Sequence, residues 1–260
     1  MGEYLLLRLY GPMASWGGIA VGEVRPSDVH PTHAAMIGLL AAALGIRRQQ
    51  EEALTALAEG YAMAVRVDAP GVLLRDYHTV QTPSAVDMKG RPRHCRSDQL
   101  VVPRHQLKTL LTTREYHCDA WYTVALVGRA AAPHRLSQLA SALENPCFPL
   151  YLGRKSCPLA LPLQPQVVEA ATLAEAFGLV RFHEERFFQI QGRGWTGRDR
   201  VWPLSSESPT VHWDPVLDGE GLEPLLSIVR RDHPLHRRRW QFAERPERHG
   251  RLTPPAMAGD

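Results

Sequence analysis

The run Gly153-Arg154-Lys155-Ser156 joins a conformationally free glycine to two cations and a hydroxyl. Backbone N–H groups and side chains of these types can donate to a phosphate oxygen or a base edge. The run ends like a nucleotide-binding P-loop. That loop needs a glycine five residues before the second one, and Phe148 stands there, so nucleotide hydrolysis is excluded. A structural turn carrying a solvated Arg-Lys pair accounts for the same residues equally well.

Two histidines sit beside acids and tyrosines, in Asp76-Tyr77-His78 and Tyr116-His117-x-Asp119. Either imidazole has the chemistry to act as general base on an RNA 2′-hydroxyl, assisted by Tyr116 or Lys155, or to stack on a base. His233-x-x-His236 lacks a third ligand and lies beside an arginine run, so no metal is expected there. The cysteines Cys95, Cys118, Cys147 and Cys157 form no C-x-x-C pair, which argues against a zinc ribbon, and no cofactor is implied. Ser15-Trp16-Gly17 is not a nucleophile elbow.

Net charge is only +3 over 260 residues, but its distribution is uneven. Lys89 to Arg114 holds seven Lys/Arg against one acid, a local +6. Arg230 to Arg251 holds eight Arg against three acids, a local +5. Clustering of this kind suits a polyanion; two solvated arginine-rich loops give the same count. Tyr77, Tyr116, Tyr151, Trp195, Trp202 and Trp240 lie among these cations. An aromatic ring can stack a base for about 1–3 kcal/mol, although Trp202 and Trp240 read as core.

These residues need elements to hold them. Tyr4 to Leu9 reads as a buried strand ended by Gly11-Pro12. Thr32 caps a helix over His33–Leu44, closed by Gly45. A second helix fits Glu51–Glu59, and Tyr61–Val67 alternates as a half-buried strand with Arg66 on the other face. Residues 68–118 are too long for an ordinary connection and read as an inserted arm, a β-hairpin. Ala120–Val127 is a strand, Leu136–Glu144 a helix with Leu136, Leu139, Ala140 and Leu143 on one stripe, and Cys147–Leu152 a returning strand. The order predicts an α+β chain: a ferredoxin-like (RRM-like) β-α-β-β-α-β domain over 1–164, a hairpin thumb at about 79–113, and a smaller β-rich region over 165–252. In that region Arg181–Gln191, Leu225–Arg230 and Trp240–Ala243 read as strands, Gly192-x-Gly194-Trp195-x-Gly197 as a flexible loop, and 253–260 as a disordered tail. The apolar start is too short for a signal peptide and is broken by Arg8, and no run approaches a membrane span, so a cytoplasmic protein is expected.

Several motifs in order resemble the CasD-type subunits of type I-E CRISPR Cascade, within the RAMP superfamily. They are Leu9-x-Gly11-Pro12-Met13-x-x-Trp16-Gly17, Arg25-Pro26 with Pro31-Thr32, Gly38 to Ile46, Arg75 to Val80, Arg114 to Ala120 and Tyr151 to Leu159. Beyond residue 162 the likeness is weak. The resemblance implies a non-catalytic subunit that holds the 5′ handle of the CRISPR RNA and caps the backbone filament. Its implied partners are CasC-type backbone subunits and the CasA-type large subunit, with target DNA reached only through the complex and no membrane. A relative in type I-C systems cuts precursor RNA without metal, which keeps an endoribonuclease as the alternative. The residues expected to hold RNA are Arg25, His78, Lys89, Arg91, Arg93, Arg96, Arg114, Tyr151, Gly153, Arg154, Lys155 and Ser156.

Overall fold

The computed structural model describes residues 1–18, 20, 22–182, 209–217, 219–236, 239 and 241–252. Its elements in chain order are β1 (Gly2–Tyr10), β2 (Met13–Ala14), β3 (Val24–Arg25), α1 (His33–Leu44), α2 (Glu51–Gly60), β4 (Tyr61–Ala69), β5 (Val72–Pro83), α3 (Arg96–Leu100), β6 (Leu107–Cys118), β7 (Trp121–Gly128), α4 (Leu136–Glu144), β8 (Gln166–Ala170), α5 (Leu173–Leu179), β9 (Thr210–Trp213), β10 (Leu222–His236) and β11 (Gln241–Leu252). The chain is mixed α+β with strand in the majority. Among the described residues no helix is long and apolar enough to cross a membrane.

One seven-stranded sheet runs in the order β10-β11-β9-β4-β7-β1-β8, and its pairings are antiparallel. Both faces of its centre are covered. Leu5, Leu7 and Leu9 of β1, Met63, Val65 and Val67 of β4, and Val124 and Leu126 of β7 pack under α1, α2 and α4. The alternate residues Leu6, Ala62, Ala64 and Ala125 pack against Leu173, Ala176 and Phe177 of α5 and Trp213 of β9. Double coverage explains why β1 carries consecutive leucines instead of alternating. It also corrects the half-buried reading of 61–67: Ala62 and Ala64 lie beneath α5 and β9, and only Arg66 and Asp68 are partly exposed.

α1 starts and stops where its sequence requires. The Thr32 side chain accepts from the Ala35 N–H, and Gly45 takes the left-handed conformation (φ 75°) that closes the helix. α4 covers Leu136–Glu144 and buries Leu136, Leu139 and Leu143.

The expected strand at 147–152 is not one. The Cys147 and Phe148 N–H groups donate to the Ala43 and Ala42 carbonyls at 3.0 Å, so this stretch follows the end of α1. Pro146 and Pro149 supply no donors to a ladder, and Leu152 serves as a fully buried plug. The fourth strand of the first half is β8, paired with β1 from Gly2↔Ala170 to Leu6↔Gln166.

β5 and β6 form the long hairpin, in register from Val72↔Cys118 to Pro83↔Leu107. β2 and β3 pair with the inner part of β6. At 3.3–3.4 Å per residue, a twelve-residue ribbon carries its tip roughly 35 Å from its root. The tip holds α3 and a short 3-10 turn at Arg104–Gln106.

Beyond residue 165, β9 pairs with β4 and β11 with β9, so β9–β11 extend the first sheet. The expected strands at 225–230 and 240–243 fall in β10 and β11, of which Trp240 is outside the described residues. The expected strand at 181–191 lies outside them beyond Phe182, as do the glycine-rich loop at 192–197 and the tail at 253–260.

A buried ionic network fastens the C-terminal strands to the first half. Arg245 donates to Asp232 twice, at 3.0 and 3.1 Å, to Asp214 at 2.5 Å and to Glu247 at 2.6 Å. Asp232 Oδ2 also accepts the His33 N–H at the start of α1 (2.8 Å), and Asp214 Oδ2 accepts the Met63 N–H of β4 (2.9 Å). Each buried charge therefore has an opposite charge or several hydrogen bonds, as burial demands.

Candidate nucleic-acid interface

The Gly153 loop is held from within and from below. The Leu152 N–H donates to the Cys157 carbonyl (2.8 Å), and the Cys157 N–H donates to the Arg154 carbonyl (2.9 Å). Gly153 has φ 79°, and a Cβ on it would stand 2.0 Å from the Ser15 carbonyl oxygen. Only glycine fits this approach. The Ser15 N–H donates to the Leu152 carbonyl (3.1 Å), which locks the loop to the segment after β2. Trp16 beneath it is buried against Tyr122, edge to face at 5.7 Å. The Asp28 N–H donates to the Trp16 carbonyl (2.9 Å), bringing the turn before α1 to the same place.

These segments enclose a cleft of about 660 Å³. Its floor is the small-residue face of α1, with Ala35, Gly38 and Ala42. Its rim carries Ser15, Gly17, Gly18, Arg25, Thr32, Tyr151, Gly153, Arg231 and Phe242. Tyr151 is 42% exposed, so its ring is free to stack a base. The cleft thus offers a flat ring, guanidinium groups, a hydroxyl and a glycine-lined wall, a donor set suited to a nucleotide of a single strand.

The expected RNA-binding residues divide into groups. Arg25, Tyr151 and Gly153 line the cleft, and Arg154, Lys155 and Ser156 continue the loop. Arg114 is register partner to Arg25 across β3 and β6. The Arg25 guanidinium lies along its own turn, donating to the Gly22 and Val24 carbonyls. Lys155 and Ser156 are exposed. Arg154 lies over the Tyr116 ring at 5.1 Å, and its Nη1 is buried without a hydrogen bond among the described residues.

A second group, Lys89, Arg91, Arg93 and Arg96, is exposed at the hairpin tip. Arg93 donates to the Ala85 carbonyl (3.1 Å), and Arg96 donates to Gln99 Oε1 (2.5 Å) and the Gln81 carbonyl. His78 stands between the groups on β5, its Nε2 paired with the Asp76 carboxylate. The structure therefore does not gather all twelve residues in one place.

Tyr116 and His117 are buried, at 7% and 8% exposure, within β6. A base must reach the proton it removes, and these two face the interior instead of solvent. Tyr77 is 63% exposed, while Trp195, Trp202 and Trp240 lie outside the described residues.

Sequence reasoning passed over Ser15, Arg231 and Phe242 as lining residues. The only signal for Arg231 was its place in the C-terminal arginine cluster. That cluster is not one surface. Arg245 is consumed by buried acids, and Arg230 is paired with Asp28 at 2.7 Å, whereas Arg231 is 65% exposed. Part of the local +5 thus serves folding.

The chain is 40% identical over 171 residues to the CRISPR system Cascade subunit CasD of Escherichia coli (strain K12), a match covering 63% of this chain and 70% of that protein. A solved structure named CRISPR RNA-guided surveillance complex contains a chain that superposes with TM-score 0.62 and 25% identity, covering 97% of this chain and 91% of the other. A second, named Crystal structure of Cas protein, superposes with TM-score 0.58 and 28% identity, covering 96% and 94%. Residues 4–246 match the family described as CRISPR-associated protein (Cas_Cas5), and the chain belongs to that family.

Proposed function

We propose that this chain is a non-catalytic RNA-binding subunit of a Cascade-type CRISPR surveillance complex acting in antiviral defence. In this reading it works in the cytoplasm and holds the 5′ handle of the CRISPR RNA in the cleft beside the Gly153 loop. The observation that carries the reading is the contact of Gly153 with Ser15. Tyr151 beside it lines a recess that also holds Arg25 and Arg231, and Lys155 and Ser156 stand exposed on the same loop. Such a recess suits a splayed nucleotide, with the ring stacking the base and the cations facing phosphate.

The order β8-β1-β7-β4, with α1 and α2 in one crossover and α4 in the other, supports a ferredoxin-like core that runs past the expected limit of 164 to take in β8, and the β5–β6 hairpin supports a thumb at 79–113. The tip cations would follow the guide backbone, leaving sequence readout of DNA to base pairing. The hairpin and the outer β9–β11 strands are then the surfaces for CasC-type backbone subunits and the CasA-type large subunit, and the subunit caps the filament.

The non-catalytic part rests on the burial of Tyr116 and His117. Incubation with labelled repeat RNA in EDTA tests it. Salt-sensitive binding without cleavage is expected. Site-specific cleavage lost in His78→Ala would overturn it. Arg154→Ala and Lys155→Ala are expected to weaken handle retention in the assembled complex; full retention in both would make the loop merely structural.

A further inference from the structure

The β5–β6 hairpin has two faces, and its register decides what each one carries. In an antiparallel ribbon, residues opposite each other share a face, and neighbours along a strand alternate. One face holds Asp76, His78 and Val80 opposite Arg114, Thr112 and Leu110, and ends on Lys108. The other holds Arg75, Tyr77 and Thr79 opposite Glu115, Thr113 and Leu111.

Charge separates the two faces. On the second, Arg75 is the one Lys/Arg, and its Nε donates to Glu115 Oε1 (3.0 Å). Glu115 also accepts the Ser27 N–H through Oε2 (3.3 Å), which fixes the pair. That face offers a polyanion no free cation. On the first face Arg114 and Lys108 are exposed, and neither makes a hydrogen bond or ion pair among the described residues. Its one acid, Asp76, is occupied by His78 Nε2. Arg154 lies over the Tyr116 ring, and Tyr116 shares this face, so the Gly153 loop adds a cation at its root. Arg25, register partner of Arg114, lines the cleft, so the face begins beside the cleft.

We propose that this face is a track for the phosphate backbone of the RNA strand between the cleft and the hairpin tip, with Arg154, Arg114 and Lys108 as its phosphate ligands. The proposal rests on the RNA reading of the cleft and adds which side of the hairpin the strand follows. Successive rungs on one face stand about 7 Å apart, twice the rise per residue. Arg154 and Arg114 occupy adjacent rungs, and Lys108 stands three rungs beyond Arg114, about 20 Å along. Cations in a row follow a backbone without reading sequence. Between them the His78 ring and the exposed Val80–Leu110 pair give flat and apolar surface for a ribose or base. Lys108 stands at the tip end of the ribbon, so the track delivers the strand to the cations there.

Two measurements test the track. In a salt titration of handle RNA on the full chain, Arg114→Ala with Lys108→Ala is expected to lower the slope of log K against log salt by about 1.4, at about 0.7 for each single-strand phosphate released. Arg75→Ala should leave the slope unchanged. In the assembled complex, a photo-crosslinking amino acid is placed singly at Val80, Leu110, Thr79, Leu111 and Tyr151. Val80 and Leu110 are expected to capture the CRISPR RNA, and Thr79 and Leu111 to miss it. An unchanged slope in the double variant overturns the proposal. So does RNA captured at Thr79 or Leu111 instead, or a protein subunit captured at Val80 and Leu110 in place of RNA. Where the chain alone binds too weakly to titrate, the crosslinks decide. Capture at Tyr151 with none at Val80 or Leu110 removes the track and keeps the cleft; no capture at any of the five positions removes both.

Discussion

Asp232 holds Arg245 through a two-pronged pair, Nε to Oδ1 at 3.0 Å and Nη2 to Oδ2 at 3.1 Å, while the same Oδ2 accepts the first N–H of α1. Asp232 thus caps a helix and anchors a strand hairpin at once. Substituting Asp232→Asn replaces the two-pronged ion pair on the buried Arg245 with a weaker, neutral partner and leaves only Asp214 and Glu247 to compensate its charge. Removing one side of such a pair costs about 3–5 kcal/mol. Urea unfolding should show stability lowered by that amount, with Arg245→Met losing a similar share. An unchanged midpoint in both would mean the network contributes nothing to stability.

Gly153→Ala adds a Cβ 2.0 Å from a backbone carbonyl, at a φ of 79°. The left-handed conformation alone costs an L-residue about 1–2 kcal/mol, and the clash forces the loop off Ser15. The far-UV spectrum should be kept while handle RNA binds roughly tenfold more weakly or worse. Wild-type affinity would disconnect this loop from the RNA.

The hairpin tip is expected to act through charge. Replacing Lys89, Arg91, Arg93 and Arg96 together by Ala should reduce the slope of log K against log salt by about 0.7 for each single-strand phosphate that the tip no longer neutralises. Deleting 84–110 should spoil assembly and leave the core folded, since α3 buries no residue in it. Loss of cooperative unfolding on deletion would show that the tip supports the core.

His33 makes stability depend on pH. Its ring stacks on His233 at 5.2 Å, and burial, with the Arg245 charge behind it, lowers its pKa to about 4. In the unfolded chain an imidazole titrates near 6.5. Between these values the unfolded chain takes up a proton that the folded chain refuses. Stability is therefore complete above about pH 6.5 and is lost as pH falls toward 4, by on the order of 1 kcal/mol per unit. Unfolding midpoints at pH 7, 6 and 5 check this, and His33→Asn should flatten the slope. An equal slope in that variant would assign the loss to other groups.

Local signals were readable where neighbours in sequence decide the structure. Thr32, the apolar stripe and Gly45 bound α1 without outside help, and α4 has the stripe its sequence spells out. The loop at 153–156 was identifiable because glycine, cations and a hydroxyl are chemically distinctive. Whatever depended on distant partners was not readable. Apolar content at 147–152 looks like a strand, but its backbone is claimed by the end of α1 and Leu152 by the core beneath Gly153. Arg245 counts as surface charge in any window of sequence, because Asp214 and Asp232 that neutralise it lie 31 and 13 residues away. Tyr116 looks like a stacking ring until Arg154, from another segment, covers it.

The pairing of β4 with β9 has a consequence for synthesis. The Met63 N–H meets its acceptor on Asp214 across 151 positions of the chain. A nascent polypeptide carrying α1, α2 and β4 out of the ribosome must wait for most of the remaining translation before that edge finds its neighbour. Until then β4 offers an open ladder to any passing strand, a setting in which chaperones or early capture by assembly partners protect a chain from self-association. A message truncated anywhere before the codons of β9 would yield a product with that edge permanently bare.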